Sequence, residues 1–372
     1  MTQTHAAVTA DHDPVKAQAF AGEMVTVLNH AFLALLTSIG HQTRLFETMA
    51  ALPPATSERI AEAAGLQERY VREWLAGMLT GGIVEYSRET GTYWLPREHA
   101  ACLTPAAGAD NLATFTQYIG LCGLVEQQVV AAFKQGGGVP YSAYPRFQQL
   151  QAEESAMTYG GKLVSTILPL APGVIDALQT GADVLDLGCG QGHAVNLMAQ
   201  AFPRSRFTGW DFADEGVAAG REEAQRLGLT NARFEARDLA ALDDVDAYDL
   251  ITTFDVVHDL ARPADVLQRA ARALRRDGTF LMIDIAGSSD PARNREHPLG
   301  TTLYGCSIFH CMTVSLAQGG PGLGAMWGEE RARAMLADAG FGAIDVKHLE
   351  GDMFHAFYIA RKAQPITEGG EP

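Results

Sequence analysis

The sequence predicts an α/β protein in two parts: a mostly parallel sheet closed by a terminal antiparallel hairpin, preceded by a smaller and mainly helical domain. Three observations predict it. From Val184 onward, short apolar runs alternate with helical patterns, as in a parallel sheet with crossover helices. The last two runs, 343–348 and 355–361, are separated only by 349–354, which suits an antiparallel turn and not a crossover. Before residue 110, two short helical patterns lead into one alternating pair of strand-like runs.

Taken in order, residues 1–17 are polar and read as a disordered tail. Met24, Val25, Val27, Leu28, Phe32, Leu35 and Leu36 predict a helix over 20–49, buried on much of its circumference and stopped by Pro53-Pro54. Ser57 starts a short helix through Ala64, Gly65 turns the chain, and a second helix runs from Glu68 to Leu79 before Gly81-Gly82. Runs 83–86 and 93–95 then pair around Thr90-Gly91. Two short helices and a hairpin are the pattern of a winged helix, assigned here to 18–110. Helices over 111–180 are interrupted by Gly136-Gly137-Gly138 and carry Phe115, Tyr118, Phe133, Tyr141, Tyr144 and Phe147, a candidate active-site roof. A Rossmann-like domain follows over 181–362, and 363–372 form a second tail.

The sheet domain opens on Val184-Leu-Asp-Leu-Gly-Cys-Gly-Gln-Gly192. Gly188, Gly190 and Gly192 directly after an apolar strand let the backbone turn sharply and approach a ligand. The next strand, 206–210, ends at Asp211, about 20 residues beyond the loop, where an acid can take a ribose hydroxyl pair. Strand 232–236 leads to Asp238-Leu239 and strand 248–254 ends at Asp255, so acids recur at the strand ends that line one crevice. Strand 279–285 and a helix over 330–339 precede the hairpin. The loop spacing is Gly-x-Gly-x-Gly, with Asp186 just before it. An acid there repels a pyrophosphate and suits a cationic amino-acid head group.

These ordered features resemble the class I S-adenosylmethionine-dependent methyltransferases, from Gly181 to Lys362, about half the chain. The resemblance implies that Asp186, Gly188, Gly190 and Gly192 meet the methionine end of the cofactor and Asp211 the ribose. It also implies that Phe212 packs on the adenine, Asp238 meets its amino group, Leu239 lies beside the ring, and Asp255 completes the cofactor-facing acids. Small-molecule methyltransferases of this kind carry a winged-helix region that serves dimerisation, so a homodimer is expected.

A net charge of −16 disfavours nucleic acid and anionic membrane surfaces as partners. Between Ser57 and Trp74 four glutamates face three arginines, which leaves a cofactor-sensing DNA-binding regulator as the weaker alternative. Five cysteines without a Cys-x-x-Cys spacing read as reduced thiols of a cytoplasmic protein, and 1–16 show no secretory leader. No membrane span is expected, because Asn29, His30 and His41 interrupt the most apolar helix.

The catalytic candidate is His258 in Phe254-Asp-Val-Val-His-Asp-Leu260, at the end of the fourth strand. In similar small-molecule O-methyltransferases a histidine here deprotonates the acceptor hydroxyl, which an imidazole with an ordinary pKa near 6.5 can do. Leu260 stands where their His-Asp-Trp pattern has tryptophan. His310 lies in a long insertion after the fifth strand, and His258, Asp259 and His310 have the composition of a two-histidine, one-carboxylate metal triad. The iron-dependent α-keto acid C-methyltransferases, the phenylpyruvate type among them, are similar at all three positions and in their spacing. That resemblance implies bound iron, chelation of a keto acid and methylation of the adjacent carbon. O- or N-methyl transfer with His258 as base is the alternative. Cys306 and Cys311 read as packing residues, and His193 as a residue that lines the cofactor site or packs.

Overall fold

A computed structural model describes residues 12–363, which divide into two compact units, one up to Gly120 and one from Leu121. The division falls inside the helical segment 111–180, and 121–180 belong to the sheet-bearing unit.

In the first unit Asp13 caps a helix, Pro14–Gln42, by accepting from Val15 N at 2.9 Å, and Pro14 supplies a preset φ at its start. Helix thus replaces the predicted tail from Pro14 on, while residues 1–11 of that tail lie outside the described residues. The helix predicted through 49 is broken at Arg44, whose φ of 59° lies in the left-handed region, and a separate helix, Leu45–Ala51, follows. Helices Ser57–Ala64 and Glu68–Thr80 stand where expected, with Gly65 left-handed between them. Strands β1 (Glu85–Ser87) and β2 (Thr92–Trp94) form the antiparallel wing. Phe46, Ile60, Trp74, Leu75 and Met78 fill the core of this unit, and Trp74 Nε1 donates to Leu36 O at 2.8 Å.

The long helix departs from its predicted burial. Only its last turns pack, while Phe20, Val25, Leu28 and Phe32 are 62, 58, 59 and 68% exposed. By length and composition this helix is also apolar enough to cross a membrane, which corrects the reading that its polar residues forbid it. Its C-terminal end is nonetheless built into the winged-helix core: a side chain at Gly40 would collide with Trp74 and Phe46.

The second unit holds a seven-stranded sheet of β3 (Asp183–Leu187), β4 (Arg206–Asp211), β5 (Ala232–Ala236), β6 (Tyr248–Phe254), β7 (Leu274–Ile285), β8 (Phe341–Lys347) and β9 (His355–Lys362), in the order β5-β4-β3-β6-β7-β9-β8. β3 to β7 are parallel; β9 runs antiparallel to both β7 and β8. This is the Rossmann-like arrangement with a terminal hairpin that the sequence predicted. Chain direction across the sheet reverses between β3 and β6, and such switch points open a crevice at the strand C-termini. β7 starts five residues before the predicted Thr279, because Arg275 ties its polar beginning to Asp183 (2.9 Å) and Asp249. Apolar residues pack on both faces, Leu185, Ile251, Phe280 and Met282 on one and Val184, Leu250, Leu281 and Ile283 on the other.

Candidate active site

The glycine loop forms as its spacing requires. Gly188, Gly190 and Gly192 have φ of 78°, 52° and 74°, all in the region that disfavours a side chain. A Cβ at Gly188 would lie 2.5 Å from Val256 and one at Gly192 2.3 Å from Phe234, so both are required by packing. At Gly190 the nearest atom would be Gln148 Oε1 at 4.0 Å, so that face of the loop is open. Helix His193–Ala201 begins immediately after it. His193 lines a cleft beside the loop with Gln191, Glu222, Glu223 and Arg226.

Two acids lie buried beneath the loop. Asp186, 1% exposed, accepts from Thr252 Oγ1 at 2.6 Å, and burial pushes its carboxyl up to about 7 despite that hydrogen bond. Asp211 accepts from Gly190 N at 2.8 Å and from Ala213 N at 2.9 Å; burial raises it as well. Asp211 therefore also fixes the loop, a role its position at a strand end did not disclose. Two buried carboxyls with raised pKa values and no cationic side chain among these hydrogen-bond partners suit a cationic ligand, whose charge would restore their ionisation.

The residues assigned to the adenine side follow the ends of β4 and β5. Leu239 is buried at the start of a short turn capped by Asp238, whose other oxygen pairs with Arg262. Phe212 is 59% exposed and meets the edge of Tyr141 at 5.2 Å between ring centres. Asp255, also assigned to the cofactor, is engaged within the protein. Its backbone φ is 55°, and Oδ2 lies 3.3 Å from His355 Nε2 and accepts from Tyr159 OH at 3.0 Å. His355, caught between Asp255 and Asp352, rises to about 10 although burial opposes it, and it holds Asp255 below its ordinary range. Asp255 is thus engaged as an internal counter-ion.

His258 lies in the short turn Val257–Asp259 after β6, buried, with Nδ1 2.7 Å from Asp284 Oδ1. A carboxylate only accepts, so the shared proton belongs to Nδ1; the imidazole also hydrogen-bonds the Cys311 thiol, which the sequence marks as a packing residue. Burial alone would lower the His258 pKa, but Asp284 and the Cys311 thiol together raise it well above the ordinary value. Asp284 was missed in the sequence. The signal was present: one acid inside the apolar run Leu281-Met-Ile-Asp-Ile285, fully buried at the end of a central strand.

His310 occupies a wide helical turn, Ser307–Cys311, and stacks on Phe147 at 3.8 Å, with Tyr144 and Tyr141 at 4.8 and 5.7 Å. Its Nε2 is buried without a hydrogen-bond partner, and burial, reinforced by His258, lowers its pKa to about 3. Asp259 is partly buried, and burial pushes it up to about 7. Among the described residues no three His, Cys, Asp or Glu side chains stand where they could hold a metal ion, so the expected triad is not preassembled. His258 Nδ1 is held by Asp284, and the His310 ring lies in an aromatic stack. Of the six roof aromatics, Tyr141, Tyr144 and Phe147 gather around His310; Phe133 is 74% exposed, and Phe115 and Tyr118 lie in the first unit. All five cysteines are free thiols.

Comparison with known proteins gives the same two parts. The family of Rv2258c-like winged HTH domains matches residues 31–105, and a methyltransferase domain family matches residues 178–340. A crystal structure of a putative O-methyltransferase from Nostoc punctiforme PCC 73102 superposes with a TM-score of 0.72 at 18% identity, covering 95% of this chain and all of that one. Human N-acetylserotonin methyltransferase, solved in complex with S-adenosylmethionine, gives 0.68 at 19% identity, covering 96% of this chain and all of its own. Among curated relatives, the methyltransferase ungE' of Aspergillus campestris is 28% identical over 143 residues, 35% of this chain and 41% of that protein. The chain spans less than half the length of the first curated relatives it matches. At these identities the solved structures establish the fold: a helical winged-helix domain and a Rossmann-like methyltransferase domain.

Proposed function

We propose that this protein transfers the methyl group of S-adenosylmethionine to a small molecule held against His258. The observation that carries the reading is the His258–Asp284 pair, buried at the same end of the sheet as the glycine loop and its two acids. Asp284 fixes the tautomer, and Nε2 is the atom that meets the acceptor. In the O-methyl form, the deprotonated imidazole takes the hydroxyl proton at Nε2 as oxygen attacks the sulfonium methyl carbon and S-adenosylhomocysteine leaves. Since Asp284, against the effect of burial, raises the His258 pKa, that form of the ring, and with it transfer, is expected to increase toward alkaline pH. A labelled-methyl assay across phenols, α-keto acids and amines, each with and without a chelator, tests it. His258→Ala abolishes transfer and His310→Ala spares much of it; full turnover in His258→Ala sinks the proposal.

One observation favours a second, finer reading, metal-assisted C-methylation of an α-keto acid: the buried, unpartnered Nε2 of His310. A histidine whose Nδ1 is held by a carboxylate, as in His258, is also the form that metal-ligating histidines take. Iron bound by His258, Asp259 and His310 would act as a Lewis acid toward the keto acid, and it requires those three groups to close on the ion. Metal content after purification with ferrous iron decides: one equivalent in the wild type and none in His310→Ala supports this reading, and an iron-free wild type removes it.

The exposed apolar face of Pro14–Gln42 supports a homodimer through the first unit, as part of the same proposal. A DNA-sensing role is not favoured, because Arg59, Arg69 and Arg72 are each paired with a glutamate of the same helix.

A further inference from the structure

The insertion between β7 and β8 returns to the site through a turn at 324–328, and that turn touches three parts of it at once. Gly324 N donates to the carbonyl of His258 at 3.0 Å. Ala325 N donates to Ser307 Oγ at 3.1 Å, on the helical turn that carries His310. Trp327 Nε1 donates to Asp284 Oδ1 at 3.0 Å, the oxygen that meets His258 Nδ1 at 2.7 Å and also accepts from Ile285 N at 2.8 Å. Asp284 Oδ2 has no hydrogen-bond partner, so the carboxylate is held through one oxygen alone.

The turn is itself clamped. Trp327 is 4% exposed, and its carbonyl accepts from Ser289 Oγ at 2.7 Å. Gly328 has φ of 83°, and a side chain there would lie 2.0 Å from Ser289 N, so the turn seats directly on the loop leaving β7. Glu330 fastens that loop by accepting from Ser288 Oγ and Ser289 N, each at 2.8 Å. A rotating carboxylate would blur the tautomer of its histidine partner; a third donor on the shared oxygen removes that rotation.

We propose that Trp327 is a positioning residue that locks Asp284, and through it the Nδ1–H form of His258, so that the insertion's return turn braces the site. The proposal rests on His258 being the group that meets the acceptor.

The test is the His258 imidazole in full-length protein labelled with 15N-histidine, with S-adenosylhomocysteine as the bound probe. The Nδ1 proton is assigned by its loss in His258→Gln. In Trp327→Phe, which keeps an aromatic ring and removes the donor, that proton is expected to shift and to exchange with water about 10-fold faster, as loss of one hydrogen bond to a charged group implies. S-adenosylhomocysteine affinity stays within about twofold, because the indole donates to Asp284 and not to the glycine loop or to Asp186 and Asp211. Ser289→Ala, which loosens the turn without altering the ring, shifts the same resonance in the same direction and serves if Trp327→Phe does not fold. An unchanged Nδ1 proton in both variants overturns the proposal. Failure of the wild type to bind S-adenosylhomocysteine would instead overturn the functional reading and leave the imidazole comparison intact.

Discussion

Alanine at each glycine of the loop separates packing from ligand binding. All three residues have positive φ, so each substitution forces a side chain into the left-handed region, which costs about 1–2 kcal/mol. At Gly188 and Gly192 the new methyl group also meets Val256 at 2.5 Å and Phe234 at 2.3 Å. Overpacking of that kind adds about 1–3 kcal/mol, so Gly188→Ala and Gly192→Ala lose about 2–5 kcal/mol of stability. Gly190→Ala meets nothing closer than 4.0 Å and loses only the backbone contribution. Its methyl group instead occupies the open face of the loop and displaces a ligand seated there, with a loss of about 10-fold or more in affinity. Urea denaturation gives the three stabilities, and calorimetric titration with S-adenosylhomocysteine gives the affinity of Gly190→Ala. Wild-type affinity in Gly190→Ala would refute the assignment of that face to the cofactor. A Gly190→Ala protein as destabilised as Gly192→Ala would refute the packing argument.

His355 makes stability depend on pH in the alkaline direction. Its folded pKa, about 10, exceeds the ordinary 6.5, so its contribution is complete below about pH 6.5 and is lost as pH rises through about 10. Denaturation measured from pH 6 to 10 shows a decline that His355→Gln lacks. At neutral pH His355→Gln is less stable than wild type by about 3 kcal/mol, since it leaves the buried Asp255 and its neighbour Asp352 without their cation. Phe32, 68% exposed on the long helix, is in the proposed dimer face; Phe32→Glu yields a monomer by sedimentation velocity with an unchanged far-ultraviolet spectrum. Tyr159→Phe removes the hydroxyl that donates to Asp255 and lowers stability by about 1–2 kcal/mol, with cofactor affinity unchanged by titration.

The elements written in local chemistry were legible. Strands β5 and β6 and the helix Ser57–Ala64 have the bounds their periodicity predicts, because alternation, caps and glycine turns act within a few residues. The long helix was misjudged for the opposite reason. Apolar periodicity states that a face seeks cover, and it does not state whether the same chain supplies that cover. Arg44 shows a similar limit: a left-handed arginine is fixed by the packing of Phe46 and Trp74 around the bend, and no residue type announces it.

The candidate site divides along the same line. Gly188, Gly190 and Gly192 disclose their conformation by composition, since only glycine accepts those angles without strain. Asp255 and Asp211 look alike in the sequence, each an acid at a strand end, yet His355 from the last strand neutralises one while two backbone donors hold the other against the loop. The difference comes from β9, more than 100 residues downstream of Asp211. His258 follows β6 and Asp284 lies near the end of β7, neighbouring parallel strands that a helix separates in sequence, so their pairing follows from strand order and not from spacing. Composition and the family resemblance brought His258, Asp259 and His310 forward as a triad, but the aromatic stack on Phe147 comes from a helix far upstream of all three. Whether His310 leaves that stack to meet an ion is a matter of two competing partners for one ring, and the measurement of bound iron in His310→Ala and wild type reads that competition directly.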